Sequence, residues 1–375
     1  MPSKLEAIYA RLPVFLQNVA VSVKGWTLTR NRFGGKYNQY VSDLMRSQWF
    51  SREQFRQMQI CELRRLLREA VENVPYYRQA LDKFTDGIDT INLENLKKIP
   101  FLYKYLLRED TDRFINKSRL KYGHEQGHTS GTSGAPVVWP YDFDSLQYDL
   151  AFRERQYRWA GITGREKSAR FGGRVLLGNH NSPPYWRYNM AEKQCLFSSY
   201  HISEETLPIY YEALLEFNSA YVHGYPSAIY EVAKWINKNG KSGLWRPWAI
   251  TVSAETLMDF QRQEIEKAFA SRVFNYYSSS DGAPFITQCC AQRMHLNPES
   301  GIIEFLRPDG TEAQPGEEAE MVVTSFFQRS MPLIRFKIGD TAMLSEVQTC
   351  PCGRQMPIVE YIGGRESDVL YTSQS

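Results

Sequence analysis

The eight residues from Thr129 to Pro136 (TSGTSGAP) bring together groups that suit phosphate binding. Glycine lets backbone N–H groups approach an anion because it carries no Cβ. Ser and Thr hydroxyls add donors that can turn towards phosphate oxygens. We interpret the segment as a polyphosphate cradle, and its candidate binding residues are Thr129, Ser130, Gly131, Thr132, Ser133 and Gly134. The alternative interpretation is a flexible Ser/Gly surface loop.

The loop lacks the lysine of the P-loop pattern, in which the final glycine is followed by Lys and then Ser or Thr. Here Gly134 is followed by Ala135 and Pro136. A P-loop NTPase is therefore disfavoured, and a different class of phosphate-binding protein is expected.

Further short motifs follow the loop: Tyr277 to Asp281 (YSSSD), Ile338 to Asp340 (IGD) and Gly364 to Asp368 (GRESD). With the loop, these motifs occur in the order of the signatures of the adenylate-forming (ANL) superfamily. The chain resembles this superfamily, and within it the branch of phenylacetate-CoA ligase and CapK-like capsular-polysaccharide proteins. One such match is weak evidence, whereas four in the same order are specific.

The resemblance gives each motif a role in binding ATP. It implies that Asp281 holds Mg²⁺, for which a carboxylate oxygen is the expected ligand. It also implies that Tyr277 stacks on adenine and that Asp340 accepts hydrogen bonds from the ribose hydroxyls. The remaining residues implied to contact the nucleotide are Ser253, Ala254, Glu255, Ser278, Ser280 and Arg365, and those implied to be catalytic are Thr129, Thr132 and Asp281. Alternatively, Tyr277 is a core aromatic and Arg365 a solvated surface residue.

The acyl pocket is expected between the segment Tyr221 to Ser227 and the turn Ser253 to Glu255. The candidate lining residues are His223, Gly224 and Tyr225, with His180 and Phe171 as further candidates. A lone histidine in an apolar stretch is more often a hydrogen-bonded core residue than a catalytic one. The reaction needs no general base, because a carboxylate substrate is already a nucleophile that the protein has only to align.

The cysteines form a second constellation. Cys350 and Cys352 make a tight C-x-C turn, and Cys289 and Cys290 lie just before His295. Three thiolates and one imidazole are the ligands of a closed, structural zinc site. The resemblance implies such a zinc, and the spacing from Asp281 in that family favours Cys289, with Cys290 as the alternative ligand. Buried cysteines without a metal remain an alternative, whereas a Cys350–Cys352 disulfide would be strained.

Composition indicates a globular intracellular enzyme. The chain has 375 residues, of which 42% are hydrophobic and 23% charged, so one large domain with an appendage or two domains are expected. A net charge of +3 is too small to indicate a nucleic-acid partner. The six cysteines fit a reducing cytoplasm better than a secreted disulfide framework. No signal peptide or apolar run of about 20 residues is visible, so a membrane span is not expected.

One segment near the N-terminus combines apolar and cationic residues. The apolar stretches Leu12 to Leu16 and Val19 to Val21 precede Trp26 and the cations Lys24, Arg30 and Arg32. Such a segment suits the headgroup boundary of a membrane, so weak peripheral membrane contact is one hypothesis. Packing against the rest of the fold is the alternative.

Hydrophobic periodicity predicts helices first and mixed structure afterwards. Ser51 to Gln54 has the capping-box pattern, which predicts a helix from Ser51 to Asn73 that ends at Pro75, with a short helix following. A helix from Tyr141 to Trp159 is expected directly after the phosphate loop. The predicted strands are Arg174 to Leu177, Tyr221 to His223, Ala249 to Val252, Arg272 to Tyr276 and Met321 to Thr324, and the predicted helices between them are Ile209 to Phe217, Pro226 to Asn237 and Thr256 to Phe269.

This alternation predicts an α/β fold with parallel strands, and turn signals near Gly310 and Gly316 predict a β subdomain. The expected division is a helical region at 1–100, an α/β core at 101–300, a β subdomain at 301–368 and a stub at 369–375. The resemblance implies the large N-terminal domain of an adenylate-forming enzyme, with mixed sheets flanked by helices. The chain ends seven residues after Asp368, so the small C-terminal lid domain of that family is expected to be absent.

Three functions are compatible with these observations. The first is ATP-dependent formation of an acyl-adenylate with transfer of the acyl group to CoA, as the resemblance to phenylacetate-CoA ligase implies. The second is CapK-like amide formation on a sugar or amino acid. The third is nucleotide binding without turnover. The expected cofactors are ATP, Mg²⁺, a structural zinc and CoA, and the oligomeric state is left open.

Overall fold

The computed structural model describes residues 4–128, 137–173, 177, 182–279 and 282–365. Their contacts divide the chain into a first unit, Met1–Gly34 with Glu154–Tyr276, and a second unit, Gly35–Arg153 with Tyr277–Ser375. Each unit is discontinuous in sequence, whereas the division expected above is linear and stays a prediction. Among the described residues, no helix is both long enough and apolar enough to cross a bilayer.

The elements of the described ranges are as follows. The α-helices are α1 (Lys4–Arg11), α2 (Val14–Phe33), α3 (Tyr37–Ser47), α4 (Arg52–Asn73), α5 (Pro75–Ala80), α6 (Lys104–Glu109), α7 (Phe143–Trp159), α8 (Leu207–Phe217), α9 (Pro226–Lys238) and α10 (Asp259–Phe269). The strands are β1 (His124–His128), β2 (Val138–Asp142), β3 (Ser168–Gly172), β4 (Trp186–Asn189), β5 (Gln194–Ser198), β6 (Tyr221–Gly224), β7 (Ala249–Val252), β8 (Val273–Tyr277), β9 (Ile286–Gln288), β10 (Met294–Leu296), β11 (Gly301–Leu306), β12 (Glu318–Ser325), β13 (Phe336–Leu344) and β14 (Ile358–Arg365). Short 3-10 helices lie at Asp82–Thr90, Leu96–Lys98, Thr111–Phe114, Lys117–Tyr122, Ser199–His201 and Pro298–Ser300.

The first unit contains a largely parallel sheet with strand order β8-β7-β6-β3-β5-β4. All of its neighbouring pairs are parallel except β4 with β5. Every residue of β6 and of β7 is buried, as expected for strands covered on both faces. Leu214, Ile229 and Ile265 bring helices α8, α9 and α10 into one core with the sheet. The predicted α/β alternation is confirmed in this unit.

The second unit contains an antiparallel sheet with strand order β11-β12-β13-β14-β10-β9. Helix α4 begins with the predicted capping box: the Ser51 hydroxyl accepts from the Gln54 N–H at 3.2 Å, and the Gln54 side chain accepts from the Ser51 N–H at 2.8 Å. Leu63, Leu67 and Ala70 bury the inner face of α4. Both the helical N-terminal region and the β-rich C-terminal region are therefore confirmed.

Three predicted elements differ from the structure. The phosphate loop is followed by strand β2 rather than directly by a helix, because Val138–Asp142 pairs with His124–His128 in a hairpin. The strand near Arg174 to Leu177 lies earlier, at Ser168–Gly172, and residues 174–176 fall outside the described ranges. Met321 to Thr324 belongs to an antiparallel strand and not to the parallel series.

Candidate active site and metal centre

The proposed phosphate cradle, Thr129 to Gly134, lies outside the described residues. Strands β1 and β2 on either side of it are described, and the paired residues nearest to the loop are His128 and Val138. The loop therefore connects the two strands of an antiparallel hairpin. Ser280 and Asp281, the last two residues of the motif Tyr277 to Asp281, also lie outside the described ranges.

Two of the predicted nucleotide-binding residues in the second unit are in direct contact. The Tyr277 hydroxyl donates a hydrogen bond to Oδ2 of Asp340 at 2.6 Å, across 63 positions of sequence. Asp340 lies in β13 and is 7% exposed, whereas Tyr277 is partly buried against the second unit's apolar core. A carboxylate held in this way presents acceptor oxygens, and the ring that orients it is a flat apolar surface.

Arg365 lies opposite Asp340 in the sheet. The register of β13 and β14 pairs these two residues directly, although they come from different motifs. Gly339 precedes Asp340 with a φ of +83°, a conformation that favours glycine. Ser278 is partly buried just after the end of β8. The second unit thus brings together Tyr277, Asp340 and the backbone of Arg365.

The predicted acyl-pocket residues of the first unit gather at one edge of its parallel sheet. His223 and Gly224 end β6, and the turn Ser253 to Glu255 follows the end of β7. The carboxyl edge of a parallel sheet is where ligands bind in open α/β folds. His223 is buried, and its Nδ1 lies 2.9 Å from the Thr251 hydroxyl. This histidine is hydrogen-bonded, as the alternative interpretation expected.

The turn after β7 has unusual backbone geometry. Ala254 adopts a φ of +71°, a left-handed conformation that is uncommon for a residue with a Cβ. Glu255 accepts a hydrogen bond from the Ser227 N–H at 3.1 Å, in the first turn of α9. The contact satisfies one of the unpaired donors at the start of that helix. The turn and the segment after β6 are therefore held together.

The other pocket candidates differ in position. Tyr225 occupies the N-cap position of α9 and donates its N–H to the carbonyl of Phe171 at 3.0 Å. The Phe171 side chain belongs to the core, where its ring stacks on Phe197 with centroids 5.0 Å apart. His180 lies outside the described residues.

Gly224 is expected to be essential for packing at this edge. A Cβ at this position would lie 2.0 Å from the carbonyl oxygen of Phe171, which is backbone and cannot turn aside. We expect Gly224→Ala to lower the free energy of unfolding by about 1–3 kcal/mol, the usual cost of overpacking. The measurement is chemical denaturation followed by circular dichroism. Gly172→Ala is the matched control, because its Cβ would meet only Arg170 Nε at 3.6 Å. Equal losses in the two variants would contradict this account.

Four predicted metal ligands form a compact cluster in the second unit. The ligand atoms of Cys289, His295, Cys350 and Cys352 all lie within 4.8 Å of one another. The Cys289 and Cys350 sulfurs are 3.7 Å apart, and Cys352 Sγ is 3.5 Å from His295 Nε2. Tetrahedral zinc with bonds of about 2.3 Å to sulfur and about 2.0 Å to nitrogen requires edges of roughly 3.5–3.8 Å. The donor set and these two separations therefore fit a zinc ion, whereas a disulfide needs sulfurs about 2.05 Å apart.

Local structure presents each ligand of this cluster. Cys289 follows β9, and a turn closed by the Gln292 N–H and the Cys289 carbonyl at 2.9 Å leads to β10 and His295. Cys350 to Gly353 forms a turn with a 3.0 Å closing bond and Gly353 at a φ of +80°. Burial raises the pKa of the Cys289 thiol to about 12, and a bound cation would favour its thiolate.

Sequence reasoning missed two groups that support the cluster. The carbonyl of Met356 lies 3.3 Å from His295 Nδ1 and so turns Nε2 towards Cys352. Arg354 hydrogen-bonds to Cys352 through its backbone and its side chain. The same guanidinium lies over the Trp49 ring at 4.8 Å and donates to the Gln48 side chain at 2.8 Å. A backbone carbonyl cannot be recognised in a sequence. An arginine directly after a C-x-C-G turn, in contrast, is a signal that could have indicated a contact with the cysteines.

The chain is similar in sequence to two kinds of curated protein. CapK of Staphylococcus aureus is 27% identical to the chain over 374 residues, which is 99% of this chain and 80% of CapK. Phenylacetate-coenzyme A ligase of Thermus thermophilus is 25% identical over 335 residues, 85% of this chain and 72% of that enzyme. No protein-family model matches the chain.

Solved structures agree on the fold. A crystal structure of 2-hydroxyisobutyryl-CoA ligase in complex with 2-HIB-AMP and CoA matches with a TM-score of 0.65 and 18% identity, covering 84% of this chain and 69% of that one. An acyl acid amido synthetase in complex with 2,4-DB matches with a TM-score of 0.55 and 15% identity, covering 88% and 70%. Together with the ordered motifs, the sequence relatives and the shared fold support an assignment of the chain to the branch of the adenylate-forming superfamily that contains phenylacetate-CoA ligase and CapK.

Proposed function

We propose that this protein activates a carboxylic acid with ATP to form an acyl-adenylate and then transfers the acyl group to the thiol of CoA. The observation that carries the proposal is the contact between Tyr277 and Asp340, which joins two nucleotide motifs 63 residues apart. The relationship to phenylacetate-CoA ligases over 85% of the chain supports the same activity. The solved relative in complex with 2-HIB-AMP and CoA supports the intermediate and the acceptor.

Each described motif residue is proposed to have a role in binding the nucleotide. Asp340 is to accept from the ribose hydroxyls, because an ionised carboxylate offers acceptors to both donors of a vicinal diol. The Tyr277 ring is to support adenine. The turn Ser253 to Glu255 keeps the nucleotide-binding role that the resemblance gives it. The hydroxyls of Thr129 and Thr132 on the phosphates, and Asp281 on Mg²⁺, belong to the proposal as well.

The chemistry needs alignment more than proton transfer. A carboxylate oxygen of the acid attacks the α-phosphorus of ATP, so that a new P–O bond forms while the bond to the β-phosphate breaks and pyrophosphate leaves. The CoA thiolate then attacks the acyl carbonyl carbon, and the bond to AMP breaks. Both steps develop charge on oxygens that fixed donors and cations stabilise. His223, Gly224 and Tyr225 are proposed to bound the acid.

Amide formation is the second candidate. CapK matches 99% of the chain, a larger share than the 85% matched by the phenylacetate-CoA ligases. The resemblance to CapK-like proteins implies surface-polysaccharide synthesis, in which an amine on a sugar or amino acid would replace the CoA thiol. The first half of the reaction is the same in both candidates.

Acid-dependent exchange of labelled pyrophosphate into ATP tests the shared half-reaction and detects slow adenylation. We expect exchange with at least one member of a carboxylic-acid panel that includes phenylacetate, and an acyl-hydroxamate when hydroxylamine is added. Product analysis with CoA or with amino sugars then identifies the acceptor. ATP binding without exchange for any acid would instead indicate a nucleotide-binding protein without turnover.

We further propose that Cys289, His295, Cys350 and Cys352 hold a structural zinc ion. Four protein ligands fill a tetrahedral site and leave no open position for a substrate, so the ion would stabilise the fold rather than take part in the reaction. The cluster fits this role, since the Cys289–Cys350 and Cys352–His295 separations match the edges of a tetrahedral site and all four ligand atoms lie within 4.8 Å of one another. Free thiols persist in a reducing compartment, and a cytoplasmic location is part of this proposal.

A further inference from the structure

Helix α2 exposes an apolar face. Phe15, Val19, Val23 and Trp26 are 66%, 46%, 49% and 58% exposed, and their spacing of four, four and three positions puts them on one side of the helix. Leu16 and Phe33 extend the same exposed side. An amphipathic surface helix ordinarily turns its apolar face inwards, so the burial of α2 is inverted.

The buried side of α2 is polar because it covers the edge strand β4, which would otherwise leave backbone groups unpaired. The Asn18 side chain accepts from the Tyr188 N–H at 3.0 Å, and the Ser22 hydroxyl accepts from the Met190 N–H at 3.0 Å. Gln17 is also buried and receives a hydrogen bond from Arg187. These contacts fix the rotation of the helix, and the apolar side must then face outwards.

The charged residues in this segment of the chain all have one sign. Residues 7–42 contain no Asp or Glu, whereas Arg11, Lys24, Arg30, Arg32 and Lys36 are all cationic. Arg32 contacts Glu192 at 3.7 Å, and Lys24 and Arg30 are exposed. A second copy of α2 would bring like charges together, whereas an anionic surface would be attracted.

We propose that α2 binds the surface of a bilayer that contains anionic phospholipid. An apolar stripe with Trp and Phe, flanked by cations, suits insertion at the boundary between headgroups and acyl chains. The 20 residues of α2 would lie along the surface, with Phe15, Val19, Val23 and Trp26 inserted and Lys24 and Arg30 at the phosphates. The polar contacts to β4 stay intact in this arrangement, so that binding needs no unfolding.

Vesicle flotation tests this proposal. We expect the protein to float with phosphatidylcholine vesicles that contain phosphatidylglycerol at low salt, and to be released by high salt or by omission of the anionic lipid. Val23→Asp/Trp26→Asp should reduce the bound fraction about tenfold or more, because it places charge on the inserted face. Lys24→Gln/Arg30→Gln should reduce it roughly tenfold, since each cation near an anionic surface contributes to binding.

Matched variants serve as controls. Trp248→Asp removes an equally exposed tryptophan, 63% against 58%, from another part of the first unit, and Lys238→Gln/Lys267→Gln removes two exposed cations from α9 and α10. Both should bind vesicles like the parent. Equal binding to neutral and anionic vesicles, or equal losses in the controls, would overturn the proposal. A third outcome would also overturn it: the parent does not bind vesicles but forms a concentration-dependent dimer in sedimentation experiments, and Val23→Asp/Trp26→Asp abolishes that dimer. Helix α2 would then be a contact between copies of the chain.

Discussion

Asp340→Ala is expected to raise the Kd for ATP about 10- to 100-fold. The carboxylate is proposed to accept charge-assisted hydrogen bonds from the ribose, and such bonds contribute about 1.5–3 kcal/mol. Its position is already set in the protein by the Tyr277 hydroxyl at 2.6 Å, so little ordering is required on binding. Isothermal titration with ATP and with AMP measures the effect, and both nucleotides should lose similar affinity because they share the ribose.

Two more variants separate the carboxylate from its neighbour. Asp340→Asn keeps the size and an acceptor for the Tyr277 hydroxyl, and is expected to lose less affinity than the alanine variant. Tyr277→Phe keeps the ring and should change the Kd only a few-fold. Asp309→Ala, an exposed carboxylate in the turn before β12, is the control. An unchanged Kd in a folded Asp340→Ala protein, or the same loss in the control, would reject this nucleotide site.

Much of the fold can be predicted from local sequence because local interactions determine those elements. The capping box at Ser51, the helical spacing of α4 and the proline that follows Val74 define one helix and its end. Strands β6 and β7 are short, fully buried apolar runs between helices, which is the pattern of a parallel sheet. These elements agree with the structure to within a few residues.

Elements that depend on a partner are not predictable in this way. Strand β1 (HEQGH) has no apolar alternation, and β2 contains a proline, so only their mutual pairing makes them strands. The inverted burial of α2 has the same origin, because its polar residues are determined by the unpaired edge of β4. Hydrophobic patterning assumes that a helix packs through its apolar face, and here that assumption is wrong.

The candidate site shows the same limit. The residue types of the motifs indicated a nucleotide. The hydrogen bond between Tyr277 and Asp340 depends on tertiary packing, however, and the pairing of Asp340 with Arg365 depends on strand order. For the metal cluster, spacing left Cys289 and Cys290 as alternatives. The structure brings Cys289 into the buried cluster while Cys290 is exposed, because Cys289 directly follows strand β9 whereas Cys290 lies inside the turn that leads to β10.

Cys289→Ser is expected to abolish zinc binding and to lower the melting temperature by about 10 °C or more. A structural metal contributes its binding energy to folding, and the loss of one thiolate leaves the cluster with an incomplete tetrahedral donor set. The cluster joins the turn after β9, strand β10 and the Cys350 to Gly353 turn, so its loss should loosen this end of the antiparallel sheet. Inductively coupled plasma mass spectrometry of protein purified without chelators measures the zinc content per chain. Differential scanning calorimetry measures the melting temperature.

Cys290→Ser is the matched control, because it removes the neighbouring thiol, which is exposed and outside the cluster. It should retain about one zinc per chain and the parent melting temperature. A strong chelator should bring the parent protein to the stability of Cys289→Ser and should leave that variant unchanged, since the two treatments remove the same contribution. Zinc near zero in the parent, or equal losses in the two serine variants, would show that the four side chains pack together without a metal.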